Sequence, residues 1–219
     1  MLVGHVAAAL VGKRIAPKVS LGTLMLAAVA ADLLWCVFLI GGIERVQISP
    51  GTRVQDSLVA TYIAYSHSLL MDAVWAVCFG AAYFLRRRNL HGTWVVAAVV
   101  LSHWLLDFVS HRPDMPLAPG VRGHFGLGLW DSVVATLLVE GGFWLLAIIL
   151  YIRATHPGKR AGLYGFWIGI ALITAAWLNN IAGPPPSPGE GNVAIPSLIF
   201  FALVVAWAYW MNRARPAEI

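Results

Sequence analysis

Long apolar segments separated by short polar ones run along most of the chain. Six of them approach the roughly 20 residues that a helix needs to cross a bilayer. These segments run from Leu21 to Ile43, Leu58 to Leu85, Thr93 to Val109, Leu129 to Ile152, Leu163 to Ala182 and Ile195 to Met211. The pattern predicts about six transmembrane helices. The apolar stretch from Met1 to Gly12 is too short to span and predicts a re-entrant or interfacial helix.

Composition supports a membrane assignment. Of the 219 residues, 59% are hydrophobic and 11% are charged, and the mean hydropathy is +0.75. A soluble domain has about 25% charged residues. We therefore predict an all-α integral membrane protein with a single membrane domain over residues 1–219.

Basic residues are distributed unevenly between the connecting segments. If the chain starts in the cytoplasm, the inner segments hold eleven Lys and Arg residues and the outer segments hold Arg45, Arg53, Arg112 and Arg122. The positive-inside rule then predicts a multi-pass protein of a bacterial-type inner (cytoplasmic) membrane, with both termini cytoplasmic. This asymmetry also accounts for the isoelectric point near 9.6. A nucleic-acid partner is therefore not expected.

The third predicted helix carries a polar stripe. His103, Asp107 and His111 are spaced four apart, so each lies only about 40° around the helix from the one before. Polar side chains are costly in hydrocarbon, so the stripe is expected to face the protein interior. It could join helices by hydrogen bonds. Alternatively, it could bind a metal ion.

Other predicted helices carry polar residues at overlapping depths. Asp32 interrupts an alanine-rich segment, and His67 lies between two serines. Counted at about 1.5 Å per residue, Asp32 and His103 lie roughly 15 to 18 Å from the cytoplasmic side. Imidazole nitrogens together with carboxylate oxygens suit a divalent ion, with zinc first and manganese or iron as alternatives. His111 and Glu140 are possible additional site residues, whereas Asp72 is expected to face away from His67.

Several of these residues also occur in recognisable local motifs. The motifs are Gly4-His5, Asp32, Ser66-His67-Ser68-Leu69, Ser102-His103 with Asp107, and Gly126-Leu-Gly-Leu-Trp-Asp131. In this order they resemble the YdjM-like membrane-bound metal-dependent hydrolase family. The resemblance covers mainly residues 1–131, and residues 132–219 supply the additional transmembrane helices.

The resemblance implies a metal site and a hydrolytic activity. The implied ligands are His5, Asp32, His67, His103 and Asp107. The chain departs from the family pattern at Leu33, where a second acid is common, and before Ser66, where an additional His or Arg is missing. These departures favour one metal over two, or a protein without catalysis. For His5 to be a ligand, the first helix must pack into the bundle.

The function expected from the sequence is metal-assisted hydrolysis of an amphiphilic or lipid-like substrate. Membrane lipids are the expected partners, no organic cofactor site is predicted, and the catalytic residues and the oligomeric state are not assigned. Buried His and Asp residues also serve transporters as proton relays and ion sites. An ion- or proton-coupled transporter or permease is therefore one alternative, and a non-catalytic scaffold with a structural metal is another.

Overall fold

Helices form nearly all of the regular structure. A computed structural model describes residues 1–49 and 53–217. In chain order, the elements are α1 (Leu2–Ile15), α2 (Leu21–Ala28), α3 (Ala30–Ile40), β1 (Arg45–Ile48), α4 (Val54–Ser57), β2 (Leu58–Tyr62), α5 (Leu69–Arg87), α6 (Leu90–Ser110), β3 (Met115–Pro116), β4 (His124–Phe125), a 3-10 turn (Leu129–Asp131), α7 (Val133–Ala154), α8 (Arg160–Ala182) and α9 (Gly191–Ala214).

Five helices, α5 to α9, are long and apolar enough to cross a membrane. Their outward side chains are apolar as well: Val77 on α5 is 70% exposed, Leu138 on α7 is 71% exposed and Leu203 on α9 is 65% exposed. Such surfaces suit contact with lipid, and a helix satisfies its own backbone hydrogen bonds there. The prediction of an all-α membrane protein is confirmed. The bounds of α6 to α9 agree with the predicted spans to within four residues.

The predicted span from Leu21 to Ile43 is broken. Helices α2 and α3 meet at an angle of 52° and pass the length and hydropathy criteria only as a pair, so the protein has five candidate spans, or six with this bent pair. The break falls at Val29, whose φ of −105° and ψ of 15° leave the helical region. Hydropathy does not detect such a break because every residue around Val29 is apolar.

The predicted span from Leu58 to Leu85 is wrong over its first third. Leu58–Tyr62 is strand β2, which pairs antiparallel with β1 in a hairpin. Helix α5 begins only at Leu69, where the Ser68 side chain caps it by accepting a hydrogen bond from Met71 N (3.3 Å). A short apolar run is compatible with a strand or a helix, and hydropathy alone cannot separate the two. His67 therefore lies in the turn before α5, and not on a helix.

Helix α1 is an inner element of the bundle. It packs against α2, α6 and α7, and nine of its residues are buried, which excludes the interfacial alternative. It starts beside Asp107 of α6, which Met1 contacts, and ends near His91, which lies 3.2 Å from Ile15 O. These two positions on α6 are about 24 Å apart. The buried Lys13 ammonium stabilises the end of α1 by donating to three oxygen acceptors.

Candidate metal centre

The five predicted metal ligands, which are far apart in the sequence, lie together in the structure. His5 comes from α1, Asp32 from α3, His67 from the turn before α5, and His103 and Asp107 from α6. They form two groups, His5 with His103 and Asp107, and Asp32 with His67 and His103. The potential ligand atoms of each group lie within 4.8 Å of one another. This buried His/Asp cluster could hold a metal ion.

Asp107 is the centre of the first group. Its Oδ1 lies 3.0 Å from His5 Nε2, and its Oδ2 lies 3.2 Å from His103 Nε2. Two ligand atoms on a tetrahedral zinc ion are about 3.3 Å apart, so these spacings suit a shared ion. The amino nitrogen of Met1 also lies here, 3.0 Å from His5 Nε2 and 2.5 Å from Asp107 Oδ1.

The second group extends the cluster towards α3. Asp32 Oδ1 lies 3.7 Å from His67 Nε2 and 3.9 Å from His103 Nε2. His103 belongs to both groups but has one nitrogen directed at them. Because one Nε2 lone pair binds one ion, sharing His103 favours a single ion over two.

The bend between α2 and α3 orients His103. Ala28 is the last residue of α2, where backbone carbonyls have no partner within the helix. Its carbonyl accepts a hydrogen bond of 2.8 Å from His103 Nδ1. Since a carbonyl can only accept, Nδ1 carries a proton, and in the neutral ring Nε2 keeps a lone pair.

His103 Nε2 also meets the requirement for a metal donor. It is buried and has no hydrogen-bond partner among the residues that the structure describes. The ring stacks on that of His5, with centroids 3.6 Å apart and planes 4° from parallel. A buried imidazole nitrogen directed at carboxylates, with no bond of its own, fits the donor set of a divalent ion.

His111 lies beside the two groups and belongs to neither. Its Nε2 is 4.0 Å from Asp107 Oδ1, and its Nδ1 is 3.1 Å from Asp114 Oδ1. It follows directly after α6, and its side chain is 20% exposed. The predicted stripe of His103, Asp107 and His111 thus faces the interior, with His111 at the C-terminal end of α6.

Glu140 of α7 is fully buried but lies outside both groups. The indole N–H of Trp130 donates to Glu140 Oε1 (2.7 Å), and that of Trp177 donates to Oε2 (2.8 Å). The carboxylate is therefore held between two tryptophans in the wall of the cavity described below.

A cavity of about 420 Å³ lies next to the cluster. Its lining includes His5, Asp32, His67 and Asp107, together with proline and asparagine residues from the last turn of α8, the segment after it and the start of α9. Its walls are mostly apolar and come from the β1–β2 hairpin, α8 and α9. The volume lies within the range of small-molecule sites in proteins.

Asp72 lies outside both groups, but the expectation that it faces away from His67 around a shared helix does not apply, because His67 precedes α5. It is 1% exposed, and its Oδ2 accepts a hydrogen bond from Trp104 N (3.3 Å). Asp72 therefore connects α5 with α6.

Glu44 is a buried acid next to the cluster that the sequence analysis did not identify. It precedes β1, is fully buried, and accepts hydrogen bonds from Tyr65 N and Ser66 N, both at 2.8 Å. Its only sequence signal is an acid two residues after a glycine pair, at the end of an apolar segment.

Comparison with protein-family models, curated proteins and solved structures finds no match to this chain. The assignment of function therefore depends on the residues of the site and their geometry.

Proposed function

We propose that this chain is an integral membrane metal-dependent hydrolase, and that it belongs to the YdjM-like family its motifs resemble. The observation that carries the proposal is the convergence of five His and Asp side chains on one buried cluster at the end of a cavity. Three of the five, His5, His103 and Asp107, are no more than 2% exposed. Charged groups at such depth need compensating partners.

The donor set favours zinc, with manganese or iron as alternatives. Three imidazole nitrogens and two carboxylates match the ligands of zinc in catalytic sites. When bound, such an ion lowers the pKa of a coordinated water and polarises the bond to be hydrolysed. The carboxylates of Asp32 and Asp107 would offset the charge of the ion, and His5, His67 and His103 would bind it through Nε2.

His111 is placed to accept the proton released from the attacking water. Its Nδ1 lies within hydrogen-bond distance of the Asp114 carboxylate (3.1 Å), and its Nε2 faces the cluster at 4.0 Å from Asp107. A carboxylate partner orients the ring with its second nitrogen towards the cavity, as a general base requires. The proposed role of His111 is therefore proton transfer, separate from metal binding.

The cavity indicates an amphiphilic substrate, such as a membrane lipid or a related small molecule. Its polar end is the cluster, and its walls include Trp35, Trp177 and Phe201. Among the described residues that line it, none is Lys or Arg. Negative charge developing during hydrolysis would then depend for stabilisation on the ion, on the Met1 amino group beside Asp107 and on neutral donors.

The activity test combines metal depletion with His111→Asn. Purified protein is incubated with p-nitrophenyl esters, bis(p-nitrophenyl) phosphate and a bacterial polar lipid extract, and the products are identified by absorbance and mass spectrometry. We expect hydrolysis that is lost on chelation and restored by zinc. His111→Asn should retain its metal and lower kcat about 100-fold, the usual contribution of a general base.

His124→Asn is the matched control, because His124 lies exposed in strand β4, and its activity should be unchanged. Loss of metal in His111→Asn would contradict the separate role of His111. Tight metal binding without hydrolysis of any probe would favour the scaffold. Metal- or proton-dependent uptake into liposomes would favour the transporter.

We also propose that the protein lies in the inner (cytoplasmic) membrane with its termini on the cytoplasmic side. The support is the asymmetry of eleven basic residues in the inner segments against four in the outer segments. Met1 itself is buried against Asp107, so orientation is better tested at exposed loop residues.

Cysteine labelling tests this orientation. In a Cys36→Ala, Cys78→Ala background, Ser187→Cys should react with a membrane-impermeant maleimide in intact cells, and Arg87→Cys only after lysis. Both positions are exposed. Gly189 in the same loop is unsuitable because its φ of 116° disfavours any side chain. The reverse labelling pattern would overturn the orientation.

A further inference from the structure

We propose that Glu44, acting through Ser66, is a positioning residue that sets the tautomer of His67 and directs its Nε2 lone pair at the metal centre. This inference rests on the proposed function, since it concerns a ligand of that same site. It adds a residue outside the ligand set and predicts a measurable property of His67.

The β1–β2 hairpin places Glu44 next to the residues that precede His67. Glu44 directly precedes β1, and Tyr65 and Ser66 come shortly after β2. The antiparallel pairing of the hairpin, in which Arg45 is opposite Tyr62, brings the two ends together. Glu44 Oε1 accepts both Tyr65 N and Ser66 N at 2.8 Å, so this oxygen holds the backbone just before His67.

The second oxygen of Glu44 continues the chain of hydrogen bonds. Oε2 lies 2.5 Å from Ser66 Oγ, and Ser66 Oγ lies 2.7 Å from His67 Nδ1. Glu44 and Ser66 are fully buried, and His67 is 7% exposed. The three side chains therefore form one connected network next to the cluster.

The donors in this network follow from the number of protons each group carries. An ionised carboxylate can only accept, so the single hydroxyl proton of Ser66 is donated to Glu44. Ser66 Oγ must then accept from His67 Nδ1, which places the ring proton on Nδ1. In the neutral ring, His67 Nε2 is left with a lone pair, and it lies 3.7 Å from Asp32 Oδ1 and 3.9 Å from Asp107 Oδ2.

The same tautomer is imposed on His103 by a different partner. His103 donates Nδ1–H to the Ala28 carbonyl, so both histidines present Nε2 to the carboxylates. Partners that fix the tautomer of a metal-binding histidine in this way typically contribute 10- to 100-fold to metal affinity. Glu44, acting through Ser66, and the Ala28 carbonyl at the end of α2 therefore have the same effect on two histidines: each keeps the ring proton on Nδ1.

Glu44→Gln tests the proposal because it keeps the shape and reverses one hydrogen bond. Its amide oxygen can still accept from Tyr65 N and Ser66 N, but its NH₂ must donate to Ser66 Oγ. Ser66 would then donate to His67 Nδ1, which moves the ring proton to Nε2. ¹⁵N NMR of histidine-labelled, metal-free protein reports the tautomer, with His67→Asn identifying the signal. We expect Nδ1–H in the wild type, Nε2–H in Glu44→Gln, and zinc affinity lowered about 10- to 100-fold.

Glu190→Gln is the matched control. Glu190 also accepts a backbone hydrogen bond from the hairpin, from Val46 N at 3.1 Å, but its carboxylate pairs with the exposed Arg45 side chain (3.4 Å) and not with Ser66. In Glu190→Gln, the tautomer of His67 and the zinc affinity should match those of the wild type. Should Glu44→Gln not fold, Ser66→Ala replaces it, and a mixture of His67 tautomers is expected there.

Two results would overturn the proposal. One is a wild-type His67 whose neutral ring is protonated at Nε2, and the other is a His67 tautomer that is unchanged in Glu44→Gln, or in Ser66→Ala where that variant replaces it. Failure of the proposed function would look different, because a wild type that binds no zinc could still show the Nδ1–H tautomer and its reversal in Glu44→Gln.

Discussion

Purified in mild detergent, the protein is expected to contain about one divalent transition metal per chain, in keeping with one site of four or five ligands. The reason is the cluster itself, in which two carboxylates and three imidazoles lie in the membrane domain. Among the described residues, the Nε2 atom of His103 makes no hydrogen bond. Elemental analysis by mass spectrometry gives the metal and its stoichiometry.

Metal binding should also stabilise the fold. At a zinc concentration 100 times the dissociation constant, the gain in unfolding free energy is about 2.7 kcal/mol. Thermal unfolding of chelated protein with and without added zinc measures it, and magnesium serves as the control ion. A metal-free preparation whose unfolding temperature responds to neither zinc nor manganese would refute the metal centre.

The second large effect is expected from removing a central ligand. Asp107 contacts His5 and His103 at 3.0 and 3.2 Å, so Asp107→Ala or His103→Ala should abolish metal retention. Equilibrium dialysis with zinc, followed by elemental analysis, measures the loss. Each variant also leaves buried partners unsatisfied, at a cost of about 1 to 3 kcal/mol in stability. Monodispersity in detergent must therefore be checked first.

Asp72→Asn is the control for these ligand variants. Asp72 is as buried as Asp107 and accepts its hydrogen bond from the backbone of Trp104, but it lies outside both ligand groups. It should fold and retain its metal. If all three variants fold and bind metal equally, the buried stripe only joins helices, and the transporter or scaffold alternative would replace the hydrolase.

Helices α6 to α9 could be predicted because hydropathy is a property of each segment alone. A segment of 20 apolar residues in lipid must be helical, since no water is present to satisfy its backbone. The stripe of His103, Asp107 and His111 could also be predicted from its own segment, because the helical period alone places residues four apart on one face.

Strand β2 and the break at Val29 depend on contacts that the local sequence does not specify. The apolar residues Leu58–Tyr62 pair with β1, and the same composition would suit a helix. At Val29, the carbonyl of the preceding Ala28 has its partner on α6, in His103. A hydropathy profile does not include interactions between segments, and it therefore merged both regions into continuous spans.

The sequence by itself determined that this chain is a helical membrane protein and that the His and Asp residues within its membrane spans must face inward, because the cost of polar groups in hydrocarbon leaves no other arrangement. Only the tertiary structure decided which of them meet. His5 joins the cluster because α1 is enclosed by other helices, and Asp32 joins it on the segment after the bend. Glu44 reaches Ser66 only because β1 pairs with β2, so no local pattern could reveal it. These contacts of His5, Asp32 and Glu44 depend on how segments distant in the sequence pack and pair.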